Sequence, residues 1–316
     1  MKLLSSLACA TGLSALLLAA CTSGNGDGCT GDPLAPGCFD PTPAEPTIAY
    51  LGSDNGWISA DLFTMNTDGS NVRRLTTDGR AQSPEWSPDG SEIVFAHWAQ
   101  NFVTSSLKVV SADGSASRSI SDGWRDHEPT WSPDGSRIAF HSSRHDPTGG
   151  IAALYVVNSD GSNVVRLNER GGVPGWSPDG NRIAFGSSST GVPQIYVMNA
   201  DGTGEVRLTP EGQNQGASWS PDGTRIAFAG FRVNSAQDGI YVMNADGSNP
   251  VQVTTGSSSD LNPSWSADGR AIFFTGTRDS DQGRHVYSVT LADGRIRRVG
   301  SAAGEQCCPS FKRPQK

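Results

Sequence analysis

From about residue 47 to its end, the chain is built of short apolar runs, three or four residues long, separated by turns that carry Asp-Gly. The sequence Trp-Ser-Pro-Asp-Gly begins at Trp86, Trp131, Trp176 and Trp219, with Trp-Ser-Ala-Asp-Gly at Trp265; the spacings are 45, 45, 43 and 46 residues. Three residues after each Gly comes an apolar strand: Ile93-Val-Phe, Ile138-Ala-Phe, Ile183-Ala-Phe, Ile226-Ala-Phe and Ile272-Phe-Phe. Asp-Gly between two such runs predicts a tight hairpin, because Gly takes positive φ without steric cost. A further strand follows in every unit, beginning at Leu62, Leu107, Leu154, Ile195, Ile240 and Val286. Each leads through a second Asp-Gly into a fourth strand such as Val206-Arg-Leu-Thr or Val251-Gln-Val-Thr. Four strands in about 45 residues is the period of a propeller blade.

There are six third strands and five Trp motifs, and the two ends of the chain account for the difference. Ile48-Ala-Tyr is a second strand with no first strand before it; one period back from Trp86 lies Pro41-Thr-Pro, which cannot enter a sheet interior. Cys308-Pro-Ser-Phe311 matches Asn262-Pro-Ser-Trp265, and no second strand follows it. The expectation is an all-β, six-bladed propeller of four-stranded antiparallel blades, its ring closed by a C-terminal strand that completes the N-terminal blade.

The first twenty residues follow a different pattern: a cation at Lys2, then an apolar run from Leu7 to Ala20 that is too short to span a bilayer and ends in Leu18-Ala19-Ala20-Cys21. This resembles the lipobox of bacterial lipoproteins, which implies cleavage after residue 20 and acylation of Cys21. Thr22 stands where Asp would favour the inner membrane, so the resemblance implies an outer-membrane anchor facing the periplasm. Residues 21–46 then read as a Gly- and Pro-rich tether, and 47–316 as the propeller.

Composition fits many short strands: 38 Gly, 19 Pro and 8 Trp, with only 18% charged residues. The net charge is -8, and losing the leader removes one cation and no carboxylate. The balance argues against nucleic acid as a partner and against membrane contact beyond the lipid. With Cys9 in the leader and Cys21 acylated, Cys29, Cys38, Cys307 and Cys308 remain, an even number for an oxidising compartment. Cys29 can pair with Cys38 and Cys307 with Cys308, or the two ends can cross-link.

The propeller repeats resemble those of the TolB family, through five Trp-Ser-Pro/Ala-Asp-Gly motifs with Ile-Ala-Phe and Tyr-Val-Met-Asn-Ala-Asp-Gly partners. That family also carries an α/β domain before its propeller, where this chain has a tether. The resemblance implies a non-enzymatic, monomeric scaffold at the cell envelope that presents one propeller face to a protein; in that family the partner is a peptidoglycan-associated lipoprotein. No cofactor is implied, and a divalent cation in the channel or on the rim stays open.

Chemistry-bearing motifs are scarce. The chain has no G-x-S-x-G elbow, Walker A loop or H-E-x-x-H. The Asn-x-Asp-Gly stretches at Asn66, Asn158, Asn199 and Asn244 lack the closing Glu of a calcium loop and read as turns. Loops on a rigid scaffold are where binding concentrates. The loops between second and third strands share a face with the connections between blades. That face is expected to carry Trp57, Trp98, Trp124, Arg125, Asp126, His127, Glu128, His141, Arg144, His145, Arg232 and Arg278 as a binding rim, with Trp and Arg as its hot spots. The alternative is a metal-dependent carbohydrate-binding propeller or an enzyme similar to oligogalacturonate lyase, using the same His, Asp and Glu residues.

Overall fold

The chain divides into two units, 1–43 and 44–316. A computed structural model describes, within the second, residues 48–53, 60–66, 69–100, 102–146, 152–231, 239–255, 260–278, 283–299 and 305–311; in the last segment only the Ser310 side chain is described. Among these residues are six four-stranded antiparallel sheets, the blades of a β-propeller. The innermost strands of blades 2 to 6 are Ala81–Trp86, Asp126–Trp131, Gly172–Trp176, Gln213–Trp219 and Leu261–Trp265. Blade 1 takes its innermost strand from the other end of the chain: Glu305–Phe311 pairs with Ile48–Ser53, with Ile48 opposite Phe311. The expected closure is therefore what forms. No helix among the described residues is long and apolar enough to cross a membrane.

Among the described residues no blade has a core of its own. The buried apolar residues fall into six clusters, and each belongs to two neighbouring blades. The repeated Trp is the wedge at five of these junctions: Trp86, Trp131, Trp176, Trp219 and Trp265 are at most 7% exposed and pack against the preceding blade. Trp219 Nε1–H donates to the Gly175 carbonyl at 3.1 Å, and Trp265 Nε1–H to that of Ser218 at 3.1 Å. Arg137, Arg182 and Arg225 each lie over the Trp ring of the next blade, 4.6–4.8 Å from its centre.

The innermost strands carry a feature that the repeat pattern conceals. Ser83, Glu128, Val173, Gly216 and Asn262, each three residues before its Trp, have φ between 48° and 67°. The pairing register slips at each of these positions, which marks a β-bulge. Four of the five are followed by Pro, whose missing N–H costs nothing where the ladder is already interrupted. These bulges line a central channel of about 1090 Å³.

The Asp-Gly turns close through their side chains. In Ser87-Pro88-Asp89-Gly90, Asp89 accepts from the Ser87 hydroxyl at 2.6 Å and from Ser91 N–H at 3.0 Å. The hydroxyls of Ser87, Ser132, Ser177 and Ser220 are the main reason that Asp89, Asp134, Asp179 and Asp222 sit below the usual carboxylate range, Asp222 at about 2. In the outer turns Asp160, Asp201 and Asp246 are likewise engaged by Ser162, Thr203 and Ser248. These carboxylates are occupied in holding turns, as the missing Glu suggested.

The wedge can be tested at Trp219. Trp219→Ala is expected to cost about 3–5 kcal/mol, and Trp219→Phe, which keeps most of the ring and loses the bond to Gly175, about 1 kcal/mol. Urea titrations should show falling midpoints at unchanged slope.

Candidate functional site

The loops between second and third strands and the connections between blades open on one face, and at the junction of blades 2 and 3 they build a pocket. Antiparallel register places His127, in the innermost strand of blade 3, directly opposite His141 in the second strand. Their rings are consequently neighbours, 5.4 Å apart. Trp98 ends the second strand of blade 2 and packs on His127 from the adjacent blade at 4.8 Å. Arg125 directly precedes the His127 strand, and its Nε–H donates to the Val103 carbonyl at 2.9 Å. Phe102 and Val103 form the loop beyond Trp98. Together with Ser143 and Ala152 these side chains line an open depression of about 300 Å³, the small end of the range for ligand sites.

Two residues of the wall hold unusual backbone conformations, Phe102 at φ 52° and Arg125 at φ 65°. Neither is glycine, and such strain concentrates at ligand clamps. His127 is pushed down to about 4, first by burial and then by the neighbouring His141, with the carboxylates of Glu128 and Asp126 pulling the other way. At neutral pH it offers an uncharged ring. His141 Nδ1 lies 3.0 Å from Glu128 Oε2, near enough for an ion pair, yet off the line of a hydrogen bond. The pocket thus combines an apolar wall, neutral imidazole and one guanidinium.

The other expected rim residues are distributed elsewhere. Trp124, next to Arg125 in the chain, is 56% exposed and is not part of the pocket lining. Asp126 is fully buried and paired with Arg144 Nη2 at 2.8 Å. Arg278 repeats that arrangement in blade 6 with buried Asp260 and also donates to the Thr255 carbonyl at 2.9 Å. Arg144 and Arg278 each lie 5.3 Å over their own blade's Phe140 or Phe274 ring. The same clasp in two blades identifies Asp126, Arg144 and Arg278 as framework. His145 Nδ1 lies 3.2 Å from the Tyr155 hydroxyl, away from His127. Trp57 and Arg232 lie outside the described residues, as do Cys21, Cys29 and Cys38; Cys307 and Cys308 are in the closing strand with their side chains outside the description. Phe102 and Val103 escaped the sequence reading, although an apolar pair between Asn101 and Thr104 in a polar loop is a readable signal. Among the described residues no three His, Cys, Asp or Glu side chains converge to hold a metal.

A family model described as the TolB beta propeller domain matches residues 42–173, 163–237 and 209–314. TolB from Acinetobacter baumannii superposes with a TM-score of 0.74 at 21% identity, over 85% of this chain and 67% of that one. A structure assigned as TolB from Agrobacterium tumefaciens gives 0.65 at 22% identity, over 83% and 95%. An oligogalacturonate lyase in complex with manganese gives 0.57 at 15% identity, over 81% and 74%. At these identities the likeness is one of fold. Comparison with curated protein sequences gives no significant match.

The neutral His127 has a consequence for stability. Its folded form titrates near 4 and the unfolded imidazole near its ordinary 6.5, so between those values the unfolded chain binds the extra proton. Stability contributed here is complete above about pH 6.5 and is lost as the pH falls toward 4. Urea titrations from pH 7 to 4.5 should show a smaller fall for His127→Phe than for the unaltered chain.

Proposed function

The chain belongs to the TolB β-propeller domain family, and from that premise we propose that it is a non-catalytic binding scaffold of the cell envelope, lipid-anchored through Cys21, that engages a protein partner with its loop face. One observation carries this reading. Four residues expected on the rim for departing from the repeat, Trp98, Arg125, His127 and His141, line a single pocket together with the half-exposed Phe102, and Trp124, next to Arg125 in the chain, is exposed. Aromatic residues and Arg grouped in this way on a rigid frame have the composition of an interface hot spot. The site offers contacts for binding, with Asp126 paired to Arg144 and the His127 ring held neutral. The fold likeness to TolB supports a scaffold, and the lipobox-like sequence supports the anchor. A peptidoglycan-associated lipoprotein is the partner that the family resemblance favours. The lyase reading has only fold likeness behind it.

A photo-crosslinking amino acid at Trp124 in living cells should join the chain to one recurrent envelope protein. The same probe at Val206, 57% exposed on the outer edge of blade 4, should not. Equal labelling from both positions would remove the loop face from the proposal. Cys21→Ser should abolish incorporation of labelled fatty acid and release the chain from the membrane fraction; continued acylation would end the anchor reading.

A further inference from the structure

The pocket between blades 2 and 3 carries enough chemistry to define its ligand. Arg125 is held along one side, since its Nε–H is committed to the Val103 carbonyl. Its two terminal nitrogens have no partner among the described residues, so the end-on edge of the guanidinium is presented to the cavity it lines. That edge matches a carboxylate in bidentate geometry. Trp98, Phe102, Val103 and Ala152 give the wall its apolar part, beside the uncharged His127, with Ser143 and His141 completing the lining.

A cavity of about 300 Å³ gives room for about one residue. In a peptide, an apolar side chain and a carboxylate that share so small a space are best supplied from one α-carbon. Asp and Glu side chains carry no such apolar group. A free amino acid would bring an ammonium as well, and among the described residues no Asp or Glu lines the cavity to receive it. An α-nitrogen tied up in a peptide bond has no such need. We infer that the pocket captures the C-terminal residue of a peptide chain, an apolar or aromatic one, with its terminal carboxylate on Arg125 and its side chain against Trp98 and Phe102. Trp124, immediately before Arg125 in the chain, is 56% exposed. This deepens the scaffold reading and rests on it in one respect, that the ligand is a protein.

The ligand class is tested by isothermal titration of the purified full chain with three probes: an N-acetylated hexapeptide ending in phenylalanine with a free carboxylate, the same peptide as its C-terminal amide, and free phenylalanine. The acid should bind at least about tenfold more tightly than either of the others, the usual worth of a charge-assisted pair. Arg125→Gln should weaken the acid about 10- to 100-fold and leave the amide unchanged, whereas Trp98→Ala should weaken both. Arg125→Lys, which keeps the charge and loses the fork, should fall between. Thermal melts confirm that each variant is folded. Equal binding of acid and amide, indifference to Arg125→Gln, or no binding by hexapeptides ending in phenylalanine, leucine or valine would each overturn the assignment. If the Trp124 crosslink in cells survived that result, the scaffold would stand and only its ligand class would fall; if the crosslink failed as well, both would.

Discussion

Contact between neighbouring blades is what the rest of the structure depends on. A four-stranded blade is apolar on both faces and buries neither alone. Each of the six clusters of buried residues is shared by two blades, so the molecule has six junctions and a core at each one. Such a ring needs its last junction as much as its first. The strand Glu305–Phe311 supplies it by pairing with Ile48–Ser53, so one blade is assembled from both ends of the propeller and no outer face is left open. The Ser310 hydroxyl, which accepts from Trp86 N–H at 3.2 Å, ties the closing strand to blade 2 as well.

The wedge is not built identically throughout. Trp219 and Trp265 both donate to the blade before them, whereas Trp131 and Trp176 pack in the same way with the indole N–H unpaired among the described residues. Packing area is therefore the common element, and the hydrogen bond is an addition at some junctions. The bulges behave similarly. A left-handed residue followed by Pro recurs around the channel, and where blade 5 has Ala217 in place of Pro, the left-handed residue is Gly216, the one type that adopts the conformation without help.

These features show which parts of the molecule a sequence discloses. Repeated side chains at a fixed period reveal strand number, blade number and closure, because every copy answers the same packing demand. The bulges went unread because Ser, Glu, Val, Gly and Asn share no side-chain chemistry; what recurs is a backbone angle, visible only in the pairing register. At the candidate site, departures from the repeat picked out Trp98, Arg125, His127 and His141, which the structure gathers around one pocket. They also picked out Asp126, Arg144 and Arg278, which the structure places in Asp–Arg clasps and not in the pocket lining, because a clasp present in only two of the described blades looks irregular in sequence. Phe102 and Val103 were missed because apolar residues in a repeat protein invite assignment to the core, and here they stand 49% and 48% exposed.

The clasp also explains why the pocket is firm. Asp126 is buried beneath Arg144 and is held by the Ser121 hydroxyl as well, and Ser105 donates to its carbonyl at 2.9 Å. Arg125 is the residue directly before this anchored point, so its strained backbone is fixed on one side by blade 3 while its Nε–H is fixed on the other by the Val103 carbonyl of blade 2. A guanidinium tethered to two blades loses little freedom when it meets an anion, and lost freedom is a principal cost of binding. The framework and the site are thus linked by chain connectivity at a single residue. The propeller supplies rigidity through contacts that repeat, and at this junction that rigidity is passed to side chains that do not.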